Sequence, residues 1–172
     1  MLSLLGGMLS ACLIPPDLEP ASQDAGSGSP PVIKSAQPTE FAFPGPILLE
    51  RGDTRQLSLE VQDGDVNDTL FVQLYVDYNR LPSLAPTPAY AACQAAPNET
   101  AVRLISCDTG SLCNSIAPGS ETIDHVLEAM VADRTFILDS DPQAEGQPPY
   151  RALAEPQEAS FTSNSWVLHC LD

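Results

Sequence analysis

Basic residues are scarce in this chain: Lys and Arg number 7 against 23 Asp and Glu, a formal charge of −16. A chain this acidic is repelled by phosphate backbones, and no local basic cluster offsets the repulsion, so nucleic acid is not an expected partner. The same charge opposes direct adsorption on anionic lipid headgroups, while it suits solubility, cation binding or a basic partner. The 5 cysteines show no CxxC spacing, and no His stands at a zinc-finger interval, which disfavours a structural zinc site. His125 and His169 are the only histidines, neither in a recognisable motif with Ser, Cys or Glu, so a Ser-His-Asp site is not supported. Helix formers are few while Pro numbers 17 and Gly 10, which points to a β-rich extracytoplasmic domain with long loops. With 172 residues the chain holds one ordinary domain, or a smaller one plus tails.

What is present at the N-terminus is short and apolar. "MLSLLGGMLSAC" falls below the roughly 20 apolar residues of a membrane span, and suits the apolar core of an export signal over residues 1–11. Leu9-Ser10-Ala11-Cys12 resembles the lipobox of bacterial lipoproteins: a branched apolar residue, two small residues, then a cysteine. The resemblance implies a diacylglycerol thioether on Cys12, cleavage just before it and acylation, such as palmitate, of the new amino terminus. One feature departs from the pattern, since no Lys or Arg precedes Cys12. Leu13 follows the cysteine where some inner-membrane lipoproteins carry Asp, so the expected residence is the outer membrane, periplasmic or surface-exposed. Setting Cys12 aside leaves Cys93, Cys107, Cys113 and Cys170, an even number that fits two disulfides in an oxidising compartment.

Behind Cys12, residues 12–38 are rich in Pro, Ser, Ala, Gly and acid. They read as a flexible linker with a mean span of roughly 30 Å. The folded domain is expected over 39–172. "RQLSLEVQD" alternates Leu57, Leu59 and Val61 against polar neighbours, and "TLFVQLYVDYN" places Leu70, Val72, Leu74, Val76 and Tyr78 on one side. Two such strands joined by "GDVND" make a β-hairpin or an inter-sheet corner. Residues 80–99 read as a loop, "TAVRLISC" and "SNSWVLHC" as strands, and 139–160 as a long loop with functional potential. In "PGSETIDHVLEAMVADRTF" propensity slightly favours a helix capped by Ser120, with Ile123, Leu127, Met130 and Val131 on one face. A strand would instead turn His125, Leu127, Ala129 and Val131 inward.

"VQDGDVNDTLFVQLYVDYN" resembles extracellular immunoglobulin-like modules of the PKD or cadherin-like type, in which a strand ends in an Asp-x-Asp turn before an alternating strand. "PGSETIDHVLEAMVADRTF" is similar to their Pro-Gly-to-Asp segment, departing at Leu127–Met130 where β-branched residues are expected. The resemblance covers about 40 residues and implies an all-β immunoglobulin-like antiparallel sandwich, and with it a strand over 124–136. Under that fold the last two strands pair, which favours Cys113–Cys170 and leaves Cys93–Cys107. Four cysteines allow three pairings, and the other two stay open.

Two motifs offer chemistry. "DGDVND" spaces Asp63, Asp65, Asn67 and Asp68 as calcium loops do, though without an EF-hand's central Gly or later Glu, so a solvated turn is the stronger expectation. Asp108-Thr109-Gly110-Ser111 resembles the aspartic-protease loop. That chemistry needs a second carboxylate from a homodimer, and Cys107 and Cys113 bracket the motif, so a polar turn is expected. Asn67-Asp68-Thr69 and Asn98-Glu99-Thr100 fit the N-glycosylation pattern, coincidental in a bacterial lipoprotein. Trp166 is expected in the core. The reading is therefore a non-enzymatic, lipid-anchored envelope protein that binds or scaffolds an envelope protein or glycan, needing no cofactor beyond candidate calcium. An aspartic protease using Asp108 and a calcium-dependent adhesion module are the alternatives.

Overall fold

The computed structural model describes residues 29–37, 46–52, 54–78, 91–114, 116, 118–119 and 123–172. Cys12, the stretch ahead of it and most of the 12–38 linker lie outside the described residues, as does the first part of the 80–99 loop. The strands are β1 (Val32–Gln37), β2 (Ile47–Glu50), β3 (Gln56–Gln62), β4 (Leu70–Val76), β5 (Ala91–Ala95), β6 (Val102–Asp108), β7 (His125–Ala132) and β8 (Phe161–Leu171). They form two sheets, β1-β3-β6 and β2-β8-β7-β4-β5. The fold is all-β, and this strand order fits an immunoglobulin-like sandwich.

The alternation in the sequence explains the packing. Leu57, Leu59 and Val61 of β3 face Leu70, Val72 and Leu74 of β4 and Leu127, Ala129 and Val131 of β7 in one core cluster. Trp166, Leu168 and Cys170 of β8 join them. Each buried Leu or Val contributes about 1.5–3 kcal/mol. The turn after β3 is an inter-sheet corner rather than a hairpin, because β3 pairs with β1 and β6 while β4 pairs with β5 and β7. The 121–134 segment carries a strand, β7, paired antiparallel with β8 from His125↔Leu168 to Ala132↔Phe161.

Four expectations change. One pair is parallel, β2 with β8, so the sandwich is not wholly antiparallel. Val32–Gln37, read as linker, is strand β1: Ile33 pairs with Val61 and Ala36 with Leu59, so the domain starts ahead of Thr39. Its Ser- and Ala-rich surroundings hid two apolar residues that suffice for an edge strand. Ala91–Ala95, read as loop, is the edge strand β5, with Ala91, Cys93 and Ala95 packed on the core. Alanine is a poor strand former, and here register with β4 overrides propensity. Tyr78 leaves the core side because Asp77 adopts φ 55°, which ends the alternation one residue early.

Candidate functional site

The face of the five-stranded sheet that points away from the core carries Gln73 and Tyr75 of β4 and Glu128, Met130 and Ala132 of β7. Alternation leaves such positions to solvent. Here the chain between β7 and β8 folds back over them. Tyr75, Met130 and Ala132 are buried beneath Leu153, with Tyr78, Phe136 and Ala159 packed alongside. The covering loop is tied into shape by its own hydrogen bonds. Ile137 N–H donates to Ala152 O at 2.8 Å, and Ala154 N–H to Thr135 O at 2.9 Å. The Gln147 amide donates to Leu153 O at 2.9 Å and accepts from Leu153 N–H at 3.0 Å. Asp139 accepts from Tyr150 N–H at 2.6 Å.

Arg151 pins this loop to the sheet. Its guanidinium lies 3.4 Å from the Tyr78 ring centroid and 4.9 Å from that of Tyr75, and pairs with the Glu128 carboxylate. A desolvated cation–π contact of this kind is worth about 2 kcal/mol. Trypsin cuts after Lys and Arg, so the Arg151–Ala152 bond reports docking. Tyr78→Ala is expected to raise cleavage there by about 30-fold, the equivalent of that contact. Equal rates in the two proteins, measured by peptide mass spectrometry, would show that the stack does not hold the loop.

The Tyr75 hydroxyl, 2.7 Å from Tyr150 O and 2.5 Å from Gln73 Oε1, is a donor to the loop. Burial pushes its pKa well above the usual tyrosine range, against the pull of Arg151. Tyr78 moves the same way, also through burial. A folded pKa above the unfolded one gives a contribution that is intact below about pH 10 and lost as pH rises further, because only the unfolded phenol ionises. Denaturant unfolding at pH 9 and 11 is expected to show this loss in the native sequence and less of it in Tyr75→Phe. A loss of the same size in both would contradict it.

Beside this face an open cavity of about 310 Å³ is walled by Phe71, Gln73, Gln94 and Phe136. A second, of about 420 Å³, lies where the loop rejoins β8 and is bounded by Asp65, Asp68, Asp133, Arg134 and Glu158. Arg134 is 3.4 Å from Glu155 and 3.9 Å from each of Asp68, Asp133 and Glu158, a loose cation in an acidic rim. Asp133 accepts from Ser160 N–H at 2.9 Å and from its hydroxyl at 2.6 Å, closing the loop's end.

The candidate calcium loop holds a different cation. Asp63 is buried and its Oδ2 lies 2.5 Å from Arg103 Nη2, with both side chains 2% exposed. The same guanidinium donates to Asp65 O at 3.1 Å and to Asp68 O. Asp65 Oδ1 is engaged by Asn67 N–H at 3.0 Å, and Asn67 itself is exposed. One Asp63 carboxylate oxygen and the Asp65 and Asp68 carbonyl oxygens are thus turned on Arg103, while the Asp68 carboxylate lies 3.9 Å from Arg134. Among the described residues no group of three or more His, Cys, Asp or Glu is arranged to hold a metal ion. Burial raises the Asp63 pKa above the ordinary carboxylate value, with the Asp65 N–H and Arg103 pulling it back.

Asp108 ends β6 exposed, and its Oδ1 accepts from Gly110 N–H at 2.8 Å. Thr109 is fixed by Arg55 O, which accepts from its hydroxyl at 2.5 Å and its N–H at 3.2 Å. This is a tight turn between two half-cystines, Cys107 bonded to Cys93 and Cys113 to Cys170. Each histidine meets a carboxylate distant in sequence: His125 Nδ1 lies 2.6 Å from Asp77 Oδ2, and His169 Nε2 lies 2.6 Å from Asp124 Oδ1. Asp77 also accepts from Val126 N–H at 2.8 Å, so the first pair knits the end of β4 to β7. Asn67 and Asn98 are both exposed on neighbouring turns, joined by Asn98 N–H donating to Val66 O at 3.1 Å.

No family model and no curated protein matches this chain. Its functional reading therefore rests on its own residues. The docked loop lies on the outer face of the five-stranded sheet, flanked by the two cavities.

Proposed function

We propose that this chain is a non-enzymatic, lipid-anchored protein of the cell envelope whose sandwich domain binds or scaffolds another envelope or extracellular component. The observation that carries the reading is cysteine arithmetic. Cys93 pairs with Cys107 and Cys113 with Cys170, so all four domain cysteines are taken up among themselves. The fifth, Cys12, sits in Leu9-Ser10-Ala11-Cys12, where a thioether-linked lipid is the chemistry its neighbours suit. Disulfides agree with an oxidising compartment. Leu13 after the cysteine favours the outer membrane.

The strand order supports the PKD or cadherin-like resemblance of the domain. The binding surface is the docked 137–160 loop with its flanking cavities, presenting Leu138 and Tyr150 to solvent. A protein or glycan partner fits that mixed surface better than a polyanion, which the net charge of −16 repels. Membrane fractionation of cells producing the native sequence and Cys12→Ser tests the anchor. The native protein is expected in the membrane fraction and the variant in the soluble one. A variant that stays with the membrane contradicts the reading.

A further inference from the structure

The two disulfides occupy very different surroundings. Cys113 and Cys170 are 2% and 1% exposed and belong to the main core. Arg51 ties down the backbone beside it, its Nη1 donating to Cys113 O at 2.6 Å and its Nη2 to Ile116 O at 3.0 Å. A reductant reaches it only when the core opens. Cys107 is as deeply buried on β6. Cys93 is not. It is half-buried on β5, an edge strand of its sheet that among the described residues pairs with β4 alone. The Cys93 side chain lies on the core-facing side with Ala91 and Ala95, in register with Val72, at the outer margin of the sheet. The remaining β5 side chains are alanines and one glutamine, so little packing holds this strand against local opening.

We infer that Cys93–Cys107 is a reducible disulfide, opened by an external dithiol that attacks at Cys93 while Cys113–Cys170 stays closed. The reductant's thiolate attacks Sγ of Cys93. The S–S bond breaks with its electron pair on Cys107, which takes a proton, and a mixed disulfide forms at Cys93. The second thiol of the reductant then displaces Cys93, which is protonated in turn, and the reductant leaves as its own disulfide. The cystine gains two electrons and the dithiol loses two. Access selects the sulfur, since exchange requires the attacking thiolate to reach it in line. This bond joins an edge strand of one sheet to an edge strand of the other. Once it is cut, β5 keeps its ladder to β4 and the packing of Ala91 and Ala95 on the core but loses its covalent tie to the other sheet, which leaves this exposed edge freer to pair with another strand.

The test uses the folded native protein, treated with dithiothreitol without denaturant and alkylated at intervals, with peptide mass spectrometry of each cysteine. Cys93 and Cys107 are expected to be labelled at least about tenfold faster than Cys113 and Cys170. Fluorescence of the single tryptophan, Trp166, should remain that of the folded domain meanwhile. A parallel reaction with a monothiol such as glutathione should leave the mixed disulfide on Cys93. Labelling of all four cysteines at one rate overturns the inference, as does earlier labelling of Cys113 and Cys170. So does a mixed disulfide trapped on Cys107, or no labelling of Cys93 until Trp166 reports unfolding.

Discussion

Replacing Arg103 with methionine is expected to destabilise the domain by about 3–5 kcal/mol, the cost of removing one partner from a buried ion pair. Asp63 would be left in the interior with a carboxylate that water cannot reach. Asp65 O and Asp68 O would lose their donor as well. The paired change Arg103→Met with Asp63→Asn should recover part of the loss, because it removes the stranded charge. The single variant should also acquire a pH dependence of definite sign. Burial already raises the Asp63 pKa. Without Arg103 it rises further, so stability is greater below the unfolded carboxylate value of about 3.9 and falls as pH climbs through the raised folded value. Denaturant unfolding between pH 4 and 8 measures this. A loss below about 1 kcal/mol, the scale of a surface ion pair, would show that the pair is not the buried keystone described above. Calcium should leave the melting temperature of the native sequence unchanged, since the Asp63 carboxylate and two carbonyl oxygens of the turn already hold a guanidinium.

The second large effect belongs to Cys113–Cys170. Its cysteines are 57 positions apart, and those of Cys93–Cys107 are 14 apart. Constraint of the unfolded chain grows with the loop closed. Replacing both cysteines by serine is expected to cost about 4 kcal/mol for the longer loop and about 3 kcal/mol for the shorter. Burial widens the gap, because serine hydroxyls at 113 and 170 would both sit in the main core, whereas of 93 and 107 only 107 is fully buried there. Against total domain stabilities of about 5–15 kcal/mol, the first double variant loses from about a quarter to about four fifths of the native margin. Equilibrium unfolding of the two double variants gives the order directly. The reverse order would contradict the placement of the two bonds.

How much of this was legible in the sequence differed from strand to strand for physical reasons. Leu57, Leu59 and Val61 alternate with polar residues because β3 has one wet face, and the pattern reads directly. In β7 the pattern blurs. Leu127, Ala129 and Val131 are buried against the core, yet Met130 and Ala132 are buried too, beneath the returning loop. A strand covered on both faces loses its period of two, which left helix and strand in competition. β5 was invisible because its sequence, Ala-Ala-Cys-Gln-Ala, has neither branched nor aromatic residues; β4 imposes its conformation. Asp63 stood out as a ligand candidate, but its partner lies 40 residues away and arrives through the pairing of Val61 with Arg103. One signal was available. Arg103 occupies an inward position in Val102–Asp108, in phase with Ile105 and Cys107, and an inward arginine demands a buried anion. The docked loop had no such signal, since Tyr75 stands at an outward position and only the tertiary fold covers it.

Everything proposed about where this domain works hangs on one sulfur. The mass of the N-terminal peptide, taken from the protein in its native membranes, reads its state directly. The account predicts a chain that begins at Cys12 and carries a diacylglycerol on its thiol, with the amino group acylated. An unmodified peptide that still begins at Met1 would contradict it.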